Sequence, residues 1–188
     1  IADLPPAQLP DEQAAPPAVS LAELATIYRG VLAAGEGPGA MDAATRLQVQ
    51  HRLADIELLA GEARLAQADD VTARQAFAAA IASYNDLLQL DIDNPDRDQL
   101  LYQLSRAYDL SGDGDTALAI LERLSNEHHN SEHYLEAQFR RAESYFVATE
   151  YDAAELAYGQ VIAGGADTPY YVKALYMQGW ALFKQDEL

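Results

Sequence analysis

Equivalent side chains recur every 37 residues from Asp91 onward, and this repeat constrains the fold more than any other feature of the sequence. Three residues of types that commonly cap helix N-termini stand at this interval: Asn94, Ser131 and Thr168. The residues that follow them, Pro95, Glu132 and Pro169, suit a first helical turn. The spacing therefore predicts three helices that begin at equivalent positions.

Small and large side chains also recur inside the predicted helices. In the first helix of each unit, the small residues Ser105, Ala142 and Gly179 are equivalent, and the large pairs Leu101-Tyr102, Gln138-Phe139 and Leu175-Tyr176 precede them. In the second helix, Ala80, Ala117 and Ala154 are equivalent, as are Tyr84, Leu121 and Tyr158. Small residues let two antiparallel helices approach closely, and large ones fill the space towards the next pair. Each unit is therefore predicted to be a helical hairpin that stacks on its neighbours.

These small, aromatic and alanine positions resemble tetratricopeptide repeats from about Arg97 to Phe183, and the segment from Glu136 to Ile162 matches best. The resemblance implies an all-α array of antiparallel helical hairpins in a right-handed superhelix. It also implies a scaffold or adaptor that binds a protein or peptide partner through a concave groove. The repeat departs from the family in its period, which is usually 34 residues, and in having Leu101, Gln138 and Leu175 where Trp is common.

Three regions are predicted along the chain. Residues 1–19 contain two Pro-Pro pairs and form a flexible leader. Residues 20–90 form N-terminal helices: Ser20 and Glu23 make a capping box, Gly35 to Gly39 end the first helix, and residues 41–90 form an atypical, longer hairpin whose second helix is capped at Asp69-Asp70. Residues 91–188 form the repeats, and the last repeat stops after its first helix.

The segments NSEHY and DTPYY are similar to repeats in tetratricopeptide repeat proteins of the Gram-negative bacterial envelope. Together with the Pro-rich leader, this resemblance implies a periplasmic or outer-membrane-associated location. Because the chain begins with Ile1 and not Met, we expect a processed or trimmed polypeptide, and the sequence does not determine whether a signal peptide or lipid anchor precedes Ile1. We expect the native protein to continue beyond Leu188.

The charge of the chain limits its partners. Thirty acidic and twelve basic side chains give a net charge of −18, which disfavours nucleic acid and anionic membrane surfaces. This acidity is typical of a soluble surface or of adaptation to salt, and the alternative is a basic protein partner. The sequence contains no run of eighteen apolar residues, so no membrane-spanning helix is predicted.

The segment from Glu127 to Tyr134 contains three of the four histidines, His128, His129 and His133. The four-residue spacing of His129 and His133 suits a metal only within a continuous helix. Ser131, as a helix cap, would break such a helix between them. An ordinary solvated turn is therefore favoured over adventitious metal capture and over a structural zinc site, and no metal or other cofactor is expected.

The segment from Asp109 to Asp115 begins like a calcium loop, but Ile120 occupies the position that needs a bidentate Glu. It is instead predicted to be the turn inside a hairpin, where Gly112 and Gly114 give backbone freedom and Asp113 or Asp115 caps the next helix. The chain has no Cys and no G-x-S-x-G elbow. We therefore expect no enzyme.

The resemblance places the second, fifth, ninth and twelfth positions of each first helix in the concave groove. These positions are Gln99, Tyr102, Arg106 and Asp109, then Glu136, Phe139, Glu143 and Phe146, then Lys173, Tyr176, Trp180 and Phe183. Rigid aromatic rings beside charges suit an extended or helical peptide. No clamp for a C-terminal carboxylate is expected, because Tyr102, Arg106, Phe139 and Glu143 stand at the groove positions where the family's clamp has Lys and Asn.

Alternatives to this groove stay open. Tyr102, Phe139 and Tyr176 could mainly wedge adjacent hairpins together, and Trp180 and Phe183 could be exposed only because the chain stops near them. The array could also be a structural module that self-associates within an envelope complex. A third alternative is a regulatory module attached to a C-terminal domain that is missing from this sequence.

Overall fold

The computed structural model describes residues 19–35, 41–90 and 94–186, and all regular secondary structure in these ranges is α-helical. The eight helices are α1 (Leu21–Ala34), α2 (Ala43–Leu65), α3 (Asp70–Leu90), α4 (Arg97–Ser111), α5 (Gly114–Glu127), α6 (Tyr134–Val147), α7 (Tyr151–Ala163) and α8 (Tyr171–Asp186). Each helix packs on the next one in sequence. The predicted all-α array of stacked hairpins is confirmed, whereas the handedness of the superhelix and the division of the chain at residues 19 and 90 stay predictions.

The first helix begins and ends as its sequence predicts. The Ser20 side chain accepts a hydrogen bond from the Glu23 backbone amide, and the Glu23 carboxylate accepts one from the Ser20 amide, which completes the capping box. Gly35 ends the helix. The predicted leader up to residue 18 and the remainder of the glycine-rich stop, residues 36–40, lie outside the described residues.

The α2–α3 hairpin is the longest pair, with helices of 23 and 21 residues. Asp69 caps α3 by accepting a hydrogen bond from the Thr72 amide at 3.2 Å, as predicted. The helices approach closely at Gly61, where a Cβ would lie 2.4 Å from the Phe77 ring. The buried Glu57 carboxylate links three helices, because it accepts hydrogen bonds from Arg29 of α1 and Ser83 of α3.

The first helices of the repeats begin at Arg97, Tyr134 and Tyr171, which confirms the 37-residue register. The predicted capping residues lie three positions earlier, so their assignment as N-caps was wrong. The Asn94 and Ser131 side chains instead accept hydrogen bonds from the amides two residues later, at 2.8 and 3.0 Å. These bonds close a separate turn before each helix, a turn that short polar side chains favour.

The turn inside the α4–α5 hairpin matches its prediction. Gly112 has φ +93°, a left-handed conformation that favours glycine, and Asp113 accepts a hydrogen bond from the Thr116 amide at 3.1 Å. The equivalent residue of the α6–α7 hairpin is Thr149, which adopts φ 65° although it is β-branched. The left-handed conformation at this turn position is therefore present in both hairpins, although only the first hairpin has glycine there.

Candidate protein-binding groove

The α4–α5 and α6–α7 hairpins meet at the Tyr102 ring. This ring stacks on His133 with centroids 4.3 Å apart and an interplanar angle of 2°. The Tyr102 hydroxyl donates a hydrogen bond of 2.7 Å to the Glu136 carboxylate. With 9% of its surface exposed, Tyr102 is part of the junction between the hairpins.

The next junction, between α6–α7 and α8, contains Phe139 at the equivalent position. Its ring stacks on Tyr170 at 5.2 Å and meets Tyr158 edge-on at 6.0 Å. The ammonium group of Lys173 lies 4.8 Å from the centroid of Phe139. Phe139 is 6% exposed, so it too is enclosed between hairpins.

The structure thus separates the three aromatic residues of the predicted ladder. Tyr102 and Phe139 lie where the wedge interpretation puts them, whereas Tyr176 on α8 is 64% exposed. Buried rings offer little area to a partner. The contact surface must therefore come from other groups on these helices.

Two adjoining cavities of about 460 Å³ each lie beside the junctions, and both are lined by Arg106, Asp109 and Arg140. One extends to the end of α2 at Glu62 and Leu65. The other extends over α5 and α6. We call their combined surface the groove and define it by its charged residues: Glu62, Arg106, Asp109, Asp115, Arg140 and Glu143.

The groove has more negative than positive groups, and both of its guanidinium groups pair with carboxylates of the chain. Arg106 forms a salt bridge with Glu62, and Arg140 forms one of 2.8 Å with Glu136. By contrast, Asp109 and Asp115 form no salt bridge with a residue in the described part of the chain. The groove therefore presents an acidic surface to a ligand.

Hydrogen bonding fixes the charge at the groove wall. Burial raises the pKa of Glu136, but hydrogen bonds from Tyr102, Arg140 and Tyr170 outweigh it and lower the pKa below its usual value. Burial likewise lowers the pKa of Arg140, but the hydrogen bond to Glu136 outweighs it and raises the pKa. The Glu136 carboxylate is thus held ionised by its hydrogen bonds with Tyr102, Arg140 and Tyr170 together.

The predicted site residues fall into four groups. Arg106, Asp109 and Glu143 line the groove. Tyr102, Glu136, Phe139 and Lys173 form the junctions, and Phe146 packs edge-on against Tyr151 at 5.3 Å. The three aromatic residues of α8 line a separate cavity of about 350 Å³: Tyr176, Trp180 and Phe183.

Sequence reasoning missed several groove residues. Glu62 was missed because α2 lacks the repeat pattern. Its position near the end of a long predicted helix next to the repeats could have marked it as a residue that faces the first repeat. Arg140 was missed because it lies outside the family's usual groove positions. It follows Glu136 by four residues, a spacing that predicts an ion pair on a helix. Val147, which is 84% exposed, gives the groove an apolar contact.

The three clustered histidines have different neighbours. His133 stacks on Tyr102, His129 lies 5.7 Å from the Tyr134 ring, and His128 lies 3.9 Å from Glu127. All three precede α6, so the helix begins after them and not between two of them. Within the described ranges, no group of three His, Cys, Asp or Glu side chains is arranged to hold a metal.

None of the helices in the described residues is both long and apolar enough to cross a bilayer.

Comparison with known proteins supports the repeat resemblance for part of the chain. The sequence model of the tetratricopeptide repeat family matches residues 71–138, which cover nearly all of α3, the whole of α4 and α5, and the beginning of α6. No curated protein matches the chain.

Proposed function

We propose that this chain is a protein interaction module whose groove binds a basic segment of a partner protein. Tetratricopeptide repeats generally mediate protein–protein interaction and are not generally catalytic. The observation that carries the proposal is the charge of the groove. Four carboxylates accompany two guanidinium groups in the groove. Glu62 pairs with Arg106, Glu143 with Lys173, and Arg140 with Glu136 of the junction, so the unpaired charge of the groove comes from Asp109 and Asp115, which form no salt bridge in the described part of the chain.

Complementary charge would act mainly on the rate and specificity of binding. The chain carries a net charge of −18, so a basic partner is attracted over a distance and an acidic one is repelled. Asp109 and Asp115 supply acceptors for Lys or Arg, while Val147 and Leu118 contact apolar parts of the segment. We also propose that the protein acts in the periplasm or at the outer membrane, the location implied by the resemblance to envelope repeat proteins.

The experiment compares a Lys- and Leu-containing peptide with a Glu- and Leu-containing peptide of the same length, by calorimetry at two salt concentrations. We expect the basic peptide alone to bind, with an affinity that falls as salt rises. The double variant Asp109→Asn/Asp115→Asn should weaken binding about threefold to tenfold, because each lost charge pair contributes up to about 1 kcal/mol.

Glu132→Gln is the control for the single variant Asp109→Asn, because its carboxylate is 87% exposed and lies outside the groove. It removes one negative charge but should leave affinity nearly unchanged. Equal binding of both peptides, or an equal loss in the control, would mean that the groove does not select basic segments.

A further inference from the structure

A cavity of about 450 Å³ lies where α3, α4 and α5 meet, and its charge is opposite to that of the groove. Arg97 and Arg123 line it, and no carboxylate of the described residues does. Because the sequence has 30 acidic and only 12 basic side chains, a wall with two arginines and no acid departs from the composition of the chain. Arg97 precedes Arg106 of the groove by nine residues, or about two and a half helical turns, so the cavity opens on the opposite side of α4.

The repeat pattern does not require either arginine. Tyr134 stands at the position of the next repeat that is equivalent to Arg97, and Gln160 stands at the position equivalent to Arg123. The position equivalent to Arg123 in the preceding unit is Asp86. The two arginines therefore belong to this one cavity and not to the packing that all hairpins share.

The two guanidinium groups offer N–H donors to a ligand. Arg97 is partly buried, and within the described ranges it forms no salt bridge. Its Nη1 donates a hydrogen bond of 3.0 Å to the Leu88 carbonyl, which holds the side chain at the cavity wall and leaves the edge formed by Nε and Nη2 for a ligand. Arg123 pairs with Glu127 through Nε at 2.9 Å, which leaves its two Nη groups. A planar guanidinium edge matches the two oxygens of a carboxylate.

The remainder of the wall is mainly apolar. Leu88, Leu104 and Ile120 contribute the apolar side chains, and Asn85 and Gln89 contribute two amides. Cavities of roughly 300–1,000 Å³ that combine apolar walls with a few polar groups are typical of small-molecule sites. A ligand that fits therefore has both an acid group and an apolar part.

We propose that this cavity binds a small organic acid, whose single carboxylate contacts Arg97 and Arg123 and whose short apolar chain lies against Ile120. The net charge of −18 repels every anion, and this repulsion grows with the charge of the ligand. A monoanion therefore approaches more easily than an acidic protein segment with several charges. The site is separate from the groove and does not depend on the function proposed for it.

Titration of the ¹⁵N-labelled 188-residue chain with hexanoate tests the proposal, with binding measured by NMR from the backbone amide and arginine Nε–H signals. We expect saturable shifts at Gln89, Arg97 and Arg123, with a Kd on the order of 1 mM for so small a ligand. Hexanamide has the same chain without the charge, and acetate has the charge without the chain. Each should bind at least about tenfold more weakly than hexanoate.

Two substitutions test the arginines separately. Arg123→Gln should weaken hexanoate binding about fivefold or more, because it removes charge-assisted donors. Arg97→Lys keeps the positive charge but loses the planar edge, and should weaken binding about threefold. Arg74→Gln is the matched control for Arg123→Gln, because Arg74 is an exposed arginine of α3 outside the cavity, and it should leave the affinity unchanged.

The proposal is overturned if hexanoate causes no saturable shifts at the cavity, or if hexanamide binds as tightly as hexanoate. Equal affinity for acetate and hexanoate would reduce the site to an adventitious additive only, and an equal loss in Arg74→Gln would mean that overall charge, not the cavity, attracts the acid. Binding of the basic peptide to the groove should be unchanged in Arg123→Gln, so failure of the groove proposal and failure of this one are distinguishable.

Discussion

The α4–α5 and α6–α7 hairpins hold aromatic rings at the same repeat position but surround them with different chemistry. Tyr102 stacks on an imidazole and donates a hydrogen bond to Glu136. Phe139 stacks on Tyr170, meets Tyr158 edge-on and lies below the ammonium group of Lys173. The comparison shows that the repeat fixes the position of a stacked aromatic ring between hairpins. The polarity of that ring and of its neighbours differs from one junction to the next.

One carboxylate connects the two junctions. Glu136 follows the turn that leads into α6, so it faces Tyr102 of the preceding hairpin, and its pKa is lowered by Tyr170 of the following one as well. Burial and the hydrogen bond to Glu136 raise the pKa of Tyr170 to about 12, so its hydroxyl stays protonated and able to donate. The Glu136 carboxylate therefore accepts hydrogen bonds from both junctions, although the ring is a tyrosine in the first junction and a phenylalanine in the second.

The largest difference is expected between Phe139 and Tyr176, which occupy the same repeat position with 6% and 64% exposure. Phe139→Ala should lower the free energy of unfolding by about 3–5 kcal/mol, because it leaves a cavity between two hairpins. Tyr176→Ala should change it by no more than about 0.5 kcal/mol. Urea unfolding of both variants checks this, and a loss in Phe139→Ala as small as that in Tyr176→Ala, about 0.5 kcal/mol or less, would mean that the second junction does not stabilise the array.

A smaller effect is expected at the shared carboxylate. Glu136→Gln should cost about 1–3 kcal/mol at neutral pH, because charge-assisted hydrogen bonds are replaced by neutral ones. Since folding lowers the pKa of Glu136, its contribution is full above the unfolded pKa of about 4.3 and is lost as the pH falls through the folded value. The two proteins should thus converge in stability below that pH, in urea unfolding measured from neutral to acidic pH.

The control for this experiment is Glu132→Gln, whose carboxylate is 87% exposed. It should have little effect on unfolding at any of these pH values. A difference between Glu136→Gln and the unmodified chain that stays constant down to low pH would contradict the ionised state assigned to Glu136.

The sequence predicts the helices better than the site, and particular residues show why. Helix starts at Arg97, Tyr134 and Tyr171 follow from local side chains that recur every 37 residues. The error of three residues at Asn94 and Ser131 arose because the same side chains stabilise both helix caps and separate turns. Thr168 lies at the equivalent position, but its buried hydroxyl makes neither bond. Sequence alone does not distinguish these two hydrogen-bonding patterns.

The groove depends on contacts between distant segments, which the repeat pattern does not encode. Arg106 pairs with Glu62, 44 residues earlier in a helix without the repeat pattern. Whether Tyr102 is a groove residue or a wedge depends on His133, whose ring position is set by the turn before α6. The register thus predicts which residues are equivalent, and the neighbouring elements decide whether each one is exposed.

The two hairpin turns give a third contrast, with Gly112 at φ +93° and Thr149 at φ 65°. Thr149→Gly should raise the free energy of unfolding by about 1 kcal/mol, because the left-handed conformation costs a side chain about 1–2 kcal/mol and glycine loses part of this gain in chain entropy. The reciprocal Gly112→Thr should destabilise by about 1–2 kcal/mol. Thermal unfolding measures both, and a loss of stability in Thr149→Gly would show that the threonine side chain contributes more than its backbone conformation costs.

The smallest effect is expected at Lys173, which distinguishes the second junction from the first through its contacts with Glu143 and the Phe139 ring. Lys173→Gln should cost about 0.5 kcal/mol, because the ion pair is exposed and partly screened by solvent. A double-mutant cycle with Glu143→Gln separates the two contacts: coupling of a few tenths of a kcal/mol assigns the loss to the ion pair, whereas no coupling assigns it to the ring. A loss comparable to that of Phe139→Ala would instead mean that the ammonium group, and not the stacked rings, holds α8 on the array.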